Sequence, residues 1–199
     1  MASSKRAVTG FSLLEVLISI IVLSIGLLGA VGMLMAALRS TNESGSFTTA
    51  VNLVRELSEK ARINKSVAAR NGPANTYVVS AWKSGDALPN GSTSSACIGV
   101  SAQCTKASLA AWDMQSWLTR VSDVLPDARV AVCFDDAPAA EDGNHDWGCS
   151  GTGRNLVVKL GWTPRLPTKA EKESGTRPPQ VVMQLIPGQN YDAFKPDGF

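Results

Sequence analysis

The sequence predicts an α+β protein in which a long N-terminal α-helix is followed by a small antiparallel β-sheet and a second, shorter helix. The long helix is indicated by an uncharged apolar stretch that continues into a segment with apolar residues at helical spacing. The sheet is indicated by short runs rich in β-branched residues, separated by loops of Gly, Pro, Ser and charged residues. We expect the amphipathic part of the long helix to pack on the sheet.

The apolar stretch near the N-terminus is long enough to cross a membrane. From Val16 to Leu38 no residue is charged, and this length exceeds the roughly 20 residues that a membrane-spanning helix needs. The alternative is a secretory signal peptide, but its apolar region would span only about 7–15 residues before a small-residue cleavage site. A transmembrane helix is therefore predicted, with Lys5 and Arg6 in the cytoplasm and the chain after Arg39 on the outer side.

The helical pattern continues beyond the apolar stretch. The segment FTTAVNLVRELSEKARIN is charged on one face, and its other face carries apolar residues at helical spacing: Ala50, Leu53, Val54, Leu57 and Ala61. The Asn-Gly-Pro sequence at Asn71–Pro73 then ends the pattern. We therefore expect one helix from about Phe11 to about Ala69.

The second half of the chain contains the predicted sheet. Runs typical of strands are found at Tyr77–Trp82, Arg129–Phe134, Asn155–Thr163 and Gln180–Ile186, the last three being read as antiparallel. Between the first two runs, Lys106–Leu125 has the period of an amphipathic helix. Its apolar face is predicted to contain Ala110, Met114, Trp117, Leu118 and Val121.

Composition and charge exclude several functions. The chain has 199 residues and a formal net charge of +2, and its Lys and Arg residues are mostly scattered. This balance indicates no nucleic-acid binding, and the length leaves room for one modest globular domain after the membrane segment. No group of residues combines a nucleophile, a base and an oxyanion donor. We predict a protein that is not an enzyme and has no cofactor.

The four cysteines, Cys97, Cys104, Cys133 and Cys149, are predicted to form two disulfides. An even number of cysteines in a loop-rich exported domain favours disulfides over free thiols. A zinc site would need closely paired ligands, and the cysteine spacing does not provide them. Of three possible connectivities, the sequential one, Cys97–Cys104 with Cys133–Cys149, closes the shortest loops and is the one predicted.

An acidic loop before the last cysteine resembles a calcium-binding loop only in part. Asp142, Asn144 and Asp146 alternate as at the start of an EF-hand. However, the glycine comes one position late, at Gly148, and Gly153 stands where the bidentate glutamate is needed. A solvated loop held by a disulfide is the favoured interpretation, and no metal site is predicted.

Three features at the N-terminus occur together: a short basic leader that ends in Gly10, the apolar helix that opens with Phe11, and a carboxylate at Glu15. The sequence GFSLLEVL resembles the class III signal of type IV pilins and the related pseudopilins. The resemblance implies that a prepilin peptidase cuts between Gly10 and Phe11 and that Phe11 is then N-methylated. It also implies that Glu15 meets the Phe11 amine of a neighbouring subunit during assembly.

The position of Glu15 also has a simpler interpretation. A lone carboxylate at the bilayer centre costs about 2.5–3.5 kcal/mol on the translocon scale. Because Glu15 lies near the cytoplasmic end of the apolar stretch, it could also lie at the headgroup level of an ordinary membrane anchor. The glycine and phenylalanine before it favour the assembly role.

Other segments are similar to PilV-type minor pilins. They are SIGLLGAVGM, AVNLVRELSEKARIN and ASLAAWDMQSWLTRVSDVLPDARVAV, together with a Cys-containing loop before the second helix. The resemblance implies the pilin fold, with a leader at 1–10, a transmembrane and assembly half-helix at 11–38, an amphipathic half-helix at 39–72 and a globular domain at 73–199.

The function implied by this resemblance is that of a minor pilin in assembly initiation or in the pilus tip complex, supporting adhesion and twitching motility. The expected partners are the prepilin peptidase, other minor pilins and the major pilin through the N-terminal helix, and a tip adhesin. The expected location is the inner membrane and then the cell-surface pilus. The alternatives are a minor pseudopilin of a type II secretion system and a single-pass membrane-anchored binding domain that does not polymerise.

Overall fold

The computed structural model describes residues 12–89, 97–99, 102–137, 145–163 and 177–188. Contacts between the residues divide the chain into two units, and the division falls between Asn42 and Glu43. The first helix, α1, comprises Leu13–Ile63 and therefore contributes residues to both units.

The composition of α1 explains its length. Leu, Ala and Met, which favour helices, are frequent throughout its 51 residues, and it contains no proline. Lys60 and Arg62 lie in its last turn, where cations interact favourably with the helix dipole.

The prediction that this helix continues to about Ala69 was wrong. The helical backbone is broken at Asn64, with φ −107° and ψ 42°, and a separate helix, α2, comprises Lys65–Ala68. The side-chain Nδ2 of Asn64 donates a hydrogen bond of 2.6 Å to the backbone oxygen of Lys106, and Asn64 is buried. The break therefore supports a contact with a distant part of the chain, which local periodicity does not reveal.

The predicted α+β architecture is confirmed. The third helix, α3, comprises Lys106–Val124, and four strands form one antiparallel sheet in the order β1-β2-β3-β4. Their bounds are Val79–Lys83 for β1, Arg129–Phe134 for β2, Leu156–Gly161 for β3 and Val181–Leu185 for β4. Strand β2 begins and ends where the sequence predicted, and the ends of the other strands move by one or two residues.

One face of the sheet forms the core with α1 and α3. The five apolar residues predicted on one face of the long helix are all buried there, as are the five predicted on α3. Along the sheet, alternate residues such as Val130, Val132 and Val158 point into the same core. The indole Nε1 of Trp117 donates to the backbone oxygen of Leu53 at 2.8 Å, so this fully buried side chain keeps its polar atom satisfied.

A second polar contact joins α1 and α3 beside this core. The Nζ of Lys60 lies 3.2 Å from Oδ1 of Asp113, and the hydroxyl of the buried Tyr77 donates to Oδ2 of Asp113 at 2.9 Å. Burial raises the pKa of Tyr77, and the Asp113 carboxylate raises it further, so the hydroxyl stays protonated and keeps donating.

The other face of the sheet buries a lysine. Lys159, in the middle of β3, has no exposed side-chain surface, and its Nζ lies 2.7 Å from Oδ2 of Asp135 and 3.5 Å from Oδ1 of Asp146. The Nζ also donates to the backbone oxygen of Gly148. A buried ammonium group is tolerated in a protein only when it is paired and hydrogen-bonded in this way.

The segment around Cys149 covers Lys159 and is fixed by several contacts. The Cys133–Cys149 disulfide joins this segment to β2, and the backbone N–H of Ser150 donates to Oδ1 of Asp135 at 3.3 Å. The ring of Trp147 lies 4.3 Å from the guanidinium carbon of Arg129. A Cβ at Gly161 would approach that ring to 3.0 Å, so the glycine makes room for it.

The two disulfides have the connectivity with the shortest loops. Cys97 is bonded to Cys104, at a sequence separation of 7, and Cys133 to Cys149, at a separation of 16. No cysteine is free. The Cα–Cα distances of 5.9 and 6.2 Å lie within the range that disulfides adopt.

We predict that the folded protein has no titratable thiol and that peptide mapping without reduction links only these two pairs. Replacing Cys133 and Cys149 by Ser should lower the free energy of unfolding by about 3 kcal/mol, as chain entropy predicts for a loop of this size. The paired Ser variant of Cys97 and Cys104 is the control and should lose less, because its loop is shorter. Any linkage between the two pairs would contradict the connectivity.

A second prediction concerns Asp135 and acid stability. Burial alone would raise the pKa of Asp135, but hydrogen bonds from Lys159, Ser150 and Ala137 and the Lys159 charge together lower it below its usual value of 3.8. The ionised carboxylate therefore stabilises the fold above pH 3.8, and this contribution is lost as the pH falls through the lower folded pKa. Asp135→Asn should reduce the unfolding free energy at neutral pH by about 3–5 kcal/mol, since it leaves Lys159 without its closest partner.

Urea unfolding of the full chain in detergent at several pH values measures this effect. Asp136→Asn is the matched control, because Asp136 is the exposed neighbour of Asp135 and should have little influence. Asp135→Asn combined with Lys159→Met removes both charges and should recover much of the lost stability. If Asp135→Asn has the same acid dependence as the wild type, the ion pair does not stabilise the fold.

Candidate functional site

The first turn of α1 contains Glu15, the carboxylate singled out in the sequence. Ser12 caps this turn, because its Oγ accepts a hydrogen bond of 3.3 Å from the backbone N–H of Leu14. Glu15 follows three residues later, which is the spacing of a capping box. A carboxylate in the first turn also interacts favourably with the positive end of the helix dipole. This Ser-x-x-Glu signal is visible in the sequence and adds a local, stabilising reason for Glu15.

The surroundings of Glu15 are apolar. Its side chain is exposed and lines a shallow, open groove along α1 together with Val16, Ser19, Ile20 and Leu23. Within the described part of the chain, no ion pair involves Glu15. The groove thus places one carboxylate on an otherwise mostly apolar surface. Once another apolar surface covers it and excludes water, the attraction between this carboxylate and a cation would be screened only weakly.

From Leu13 to Leu38 the surface of α1 is apolar on all sides except at Glu15. Between Leu13 and Leu38 the large apolar side chains are 45–91% exposed, and the helix has an 18-residue window of mean hydropathy 2.6. The hydroxyl groups of Ser19 and Ser24 donate hydrogen bonds within the helix. Their acceptors are the backbone oxygens of Glu15 and Ile20, respectively, both at 2.7 Å. The helix is therefore long and apolar enough to cross a membrane, and its surface needs lipid or protein to cover it.

Gly10 and Phe11, the residues on either side of the predicted cleavage position, lie outside the described residues. Their assigned roles in cleavage and N-methylation remain predictions. The four predicted cysteines are described, and all four are engaged in disulfides rather than available as thiolate ligands.

The calcium-like loop is described only in part. Asp142 and Asn144 lie outside the described residues, and Asp146 faces the Lys159 ammonium group. The described residues contain no group of three His, Cys, Asp or Glu side chains that could hold a metal ion.

Two protein families match the chain, and their matches adjoin. Residues 5–31 match the prokaryotic N-terminal methylation motif, and residues 32–115 match a family described as type IV pilin Tt1218. No curated protein and no solved structure shows a significant match to the chain.

The matched regions coincide with the features described above. The methylation motif contains Gly10, Phe11 and Glu15, and the second match covers the rest of α1, all of β1 and part of α3. The adjoining matches, the apolar N-terminal helix and the α+β fold together support a type IV pilin.

Proposed function

We propose that this pilin is a minor pilin of the PilV type that takes part in the initiation of pilus assembly or in the tip complex. In this role it would support pilus-dependent adhesion and twitching motility. Type IV pilins are structural rather than catalytic proteins, and the methylation motif implies processing by a prepilin peptidase and assembly with other pilins. The minor role is supported by the resemblance of three segments to PilV-type proteins, described above.

The observation that carries the proposal is Glu15 in the first turn of an apolar helix, where no described residue forms an ion pair with it. Cleavage after Gly10 would give Phe11 a new cationic amine, four residues before Glu15. In a bundle of such helices, the amine of one subunit would meet Glu15 of its neighbour in the groove beside Ser19. Two charges that are each costly in an apolar interior become tolerable when they pair there.

The same apolar surface supports a membrane location for the subunit before assembly. Before assembly, residues 11–38 would cross the inner membrane with Lys5 and Arg6 in the cytoplasm. After assembly, the same apolar side chains would pack against the N-terminal helices of other pilins. Residues 39–72 and 73–199 would then form the part of the subunit that is exported.

The nearest alternative is a minor pseudopilin of a type II secretion system, which would share the leader and the helix. The match of residues 32–115 to a type IV pilin family favours the pilus. A membrane-anchored domain that does not polymerise would leave the methylation motif unexplained.

One prediction of the proposed function concerns processing at Gly10. A glycine leaves the extended backbone unobstructed in a protease cleft, whereas a β-branched residue adds bulk beside the scissile bond. Gly10→Val should therefore retain its leader when the chain is co-expressed with a prepilin peptidase, and the intact mass of the product will show it. Thr9→Val, which exchanges one β-branched residue for another at the preceding position, should be cleaved normally. Cleavage of both variants to the wild-type extent would refute the assigned position.

Another prediction of the proposed function concerns assembly through Glu15. Glu15→Leu should be cleaved and should accumulate in the membrane, because the change removes a charge from an apolar segment. It should fail to enter pili, since the Phe11 amine of a neighbour would lose its partner, at a cost of about 3–5 kcal/mol. The measurement is the amount of the variant in membranes against the amount in sheared pili, together with the number of pili.

Ser19→Ala is the matched control for Glu15→Leu. Ser19 lines the same groove one turn further along, and its hydroxyl bonds only to its own helix among the contacts described. It should be incorporated normally. Wild-type incorporation of Glu15→Leu would mean that Glu15 is not an assembly contact.

A further inference from the structure

A cleft in the second unit is separate from the assembly segment. It has a volume of about 830 Å³ and lies between α2, the turn that follows it and the first turn of α3. This volume falls within the range of about 300–1,000 Å³ that is usual for binding pockets.

The walls of the cleft are fixed by buried or partly buried amides. The side-chain Nδ2 of Asn75 donates to the backbone oxygens of Ala68 and Arg70, and its Oδ1 accepts from the N–H of Tyr77. On the other side of the cleft, the side-chain Nδ2 of Asn64 donates a hydrogen bond to the backbone oxygen of Lys106. These bonds hold α2, the turn and α3 in place, so the cleft exists before any ligand arrives, and binding would require little ordering.

The same hydrogen bonds give the cleft its chemical character. Because Asn64 and Asn75 already donate to backbone oxygens of the walls, fewer acceptors are left for a ligand that donates hydrogen bonds. The charged side chains of the lining are both cationic, Arg70 and Lys106, and among the described residues neither has an ion-pair partner. The cleft therefore favours a ligand with negative charge.

The rest of the lining favours a peptide over a sugar. Four of the other lining residues are apolar: Val67, Pro73, Ala74 and Ala107. The described lining contains no aromatic residue on which a sugar ring could stack. An apolar side chain flanked by carboxylates matches two cations beside these apolar residues.

We propose that this cleft binds an acidic peptide segment of a partner protein, in which carboxylates alternate with apolar side chains. The carboxylates pair with Arg70 and Lys106, Arg70 offering the planar fork of donors that fits a carboxylate. The apolar side chains lie against Val67 and Pro73. This site lies outside the helix that assembles the fibre, so it serves an interaction of the exported part of the subunit.

Fluorescence anisotropy on the full-length processed protein in nanodiscs tests this. The probe is a labelled peptide, Glu-Leu-Glu-Leu-Glu, and the matched neutral peptide is Gln-Leu-Gln-Leu-Gln. The wild type should bind the acidic peptide in a salt-dependent manner and the neutral peptide at least about tenfold more weakly. Arg70→Gln combined with Lys106→Gln should weaken binding of the acidic peptide by about tenfold or more.

Two further variants separate binding from folding. Ala107→Glu places a carboxylate in the cleft at the first turn of α3, where an acidic residue favours the helix, so it should abolish binding and preserve the fold. Arg154→Gln removes an exposed cation outside the cleft and should bind like the wild type. All of these variants should still be cleaved and enter pili, which keeps this test independent of the assembly proposal.

Three results would overturn the proposal. One is equal binding of the acidic and neutral peptides, and another is unchanged binding by Ala107→Glu. The third is a failure to bind the acidic peptide while the protein binds a carboxylated polysaccharide such as alginate, which would assign the cleft to a sugar ligand.

Discussion

The packing of the second half of α1 on α3 and the sheet is the interaction on which the second unit depends. Leu53, Val54 and Leu57 fill the space between α3 and the core face of the sheet. The indole of Trp117 reaches through that core to the backbone of α1, and the Lys60–Asp113 pair closes its edge. The apolar face of the four-stranded sheet has to be buried against another layer, so α1 supplies both the exposed apolar segment Leu13–Leu38 and part of the cover of the core. One helix therefore combines an apolar segment with an amphipathic segment that packs on the core.

Much of this arrangement could be predicted from the sequence because it is encoded in local periodicity. The buried stripe of α1 and the bounds of β2 follow from spacing alone. The motif around Gly10 and Glu15 is equally local, since leader, apolar start and carboxylate lie within a few residues. The capping-box spacing between Ser12 and Glu15 is local in the same way.

The features that could not be predicted depend on contacts between distant residues. The break at Asn64 is stabilised by the oxygen of Lys106, and no window around Asn64 contains that partner. Lys159 stands in a strand where alternation indicates a solvated position. It is buried because a segment joined through Cys149 folds over it. The cleft between α2 and α3 could not be predicted either, because its walls come from two stretches of the chain that are about 30 residues apart, 66–75 and 105–107.

The apolar surface of α1 between Leu13 and Leu38 has a consequence for how a subunit moves between environments. Its large side chains between Leu13 and Leu38 are 45–91% exposed, so a subunit released into water would expose all of this surface at once. Lipid tails and the helices of other pilins are the two environments that suit it. We therefore expect a subunit to pass sideways from the bilayer into the fibre without an aqueous stage. By the same reasoning, a fibre that is dismantled should return its subunits to the membrane, where they are available for another round of assembly.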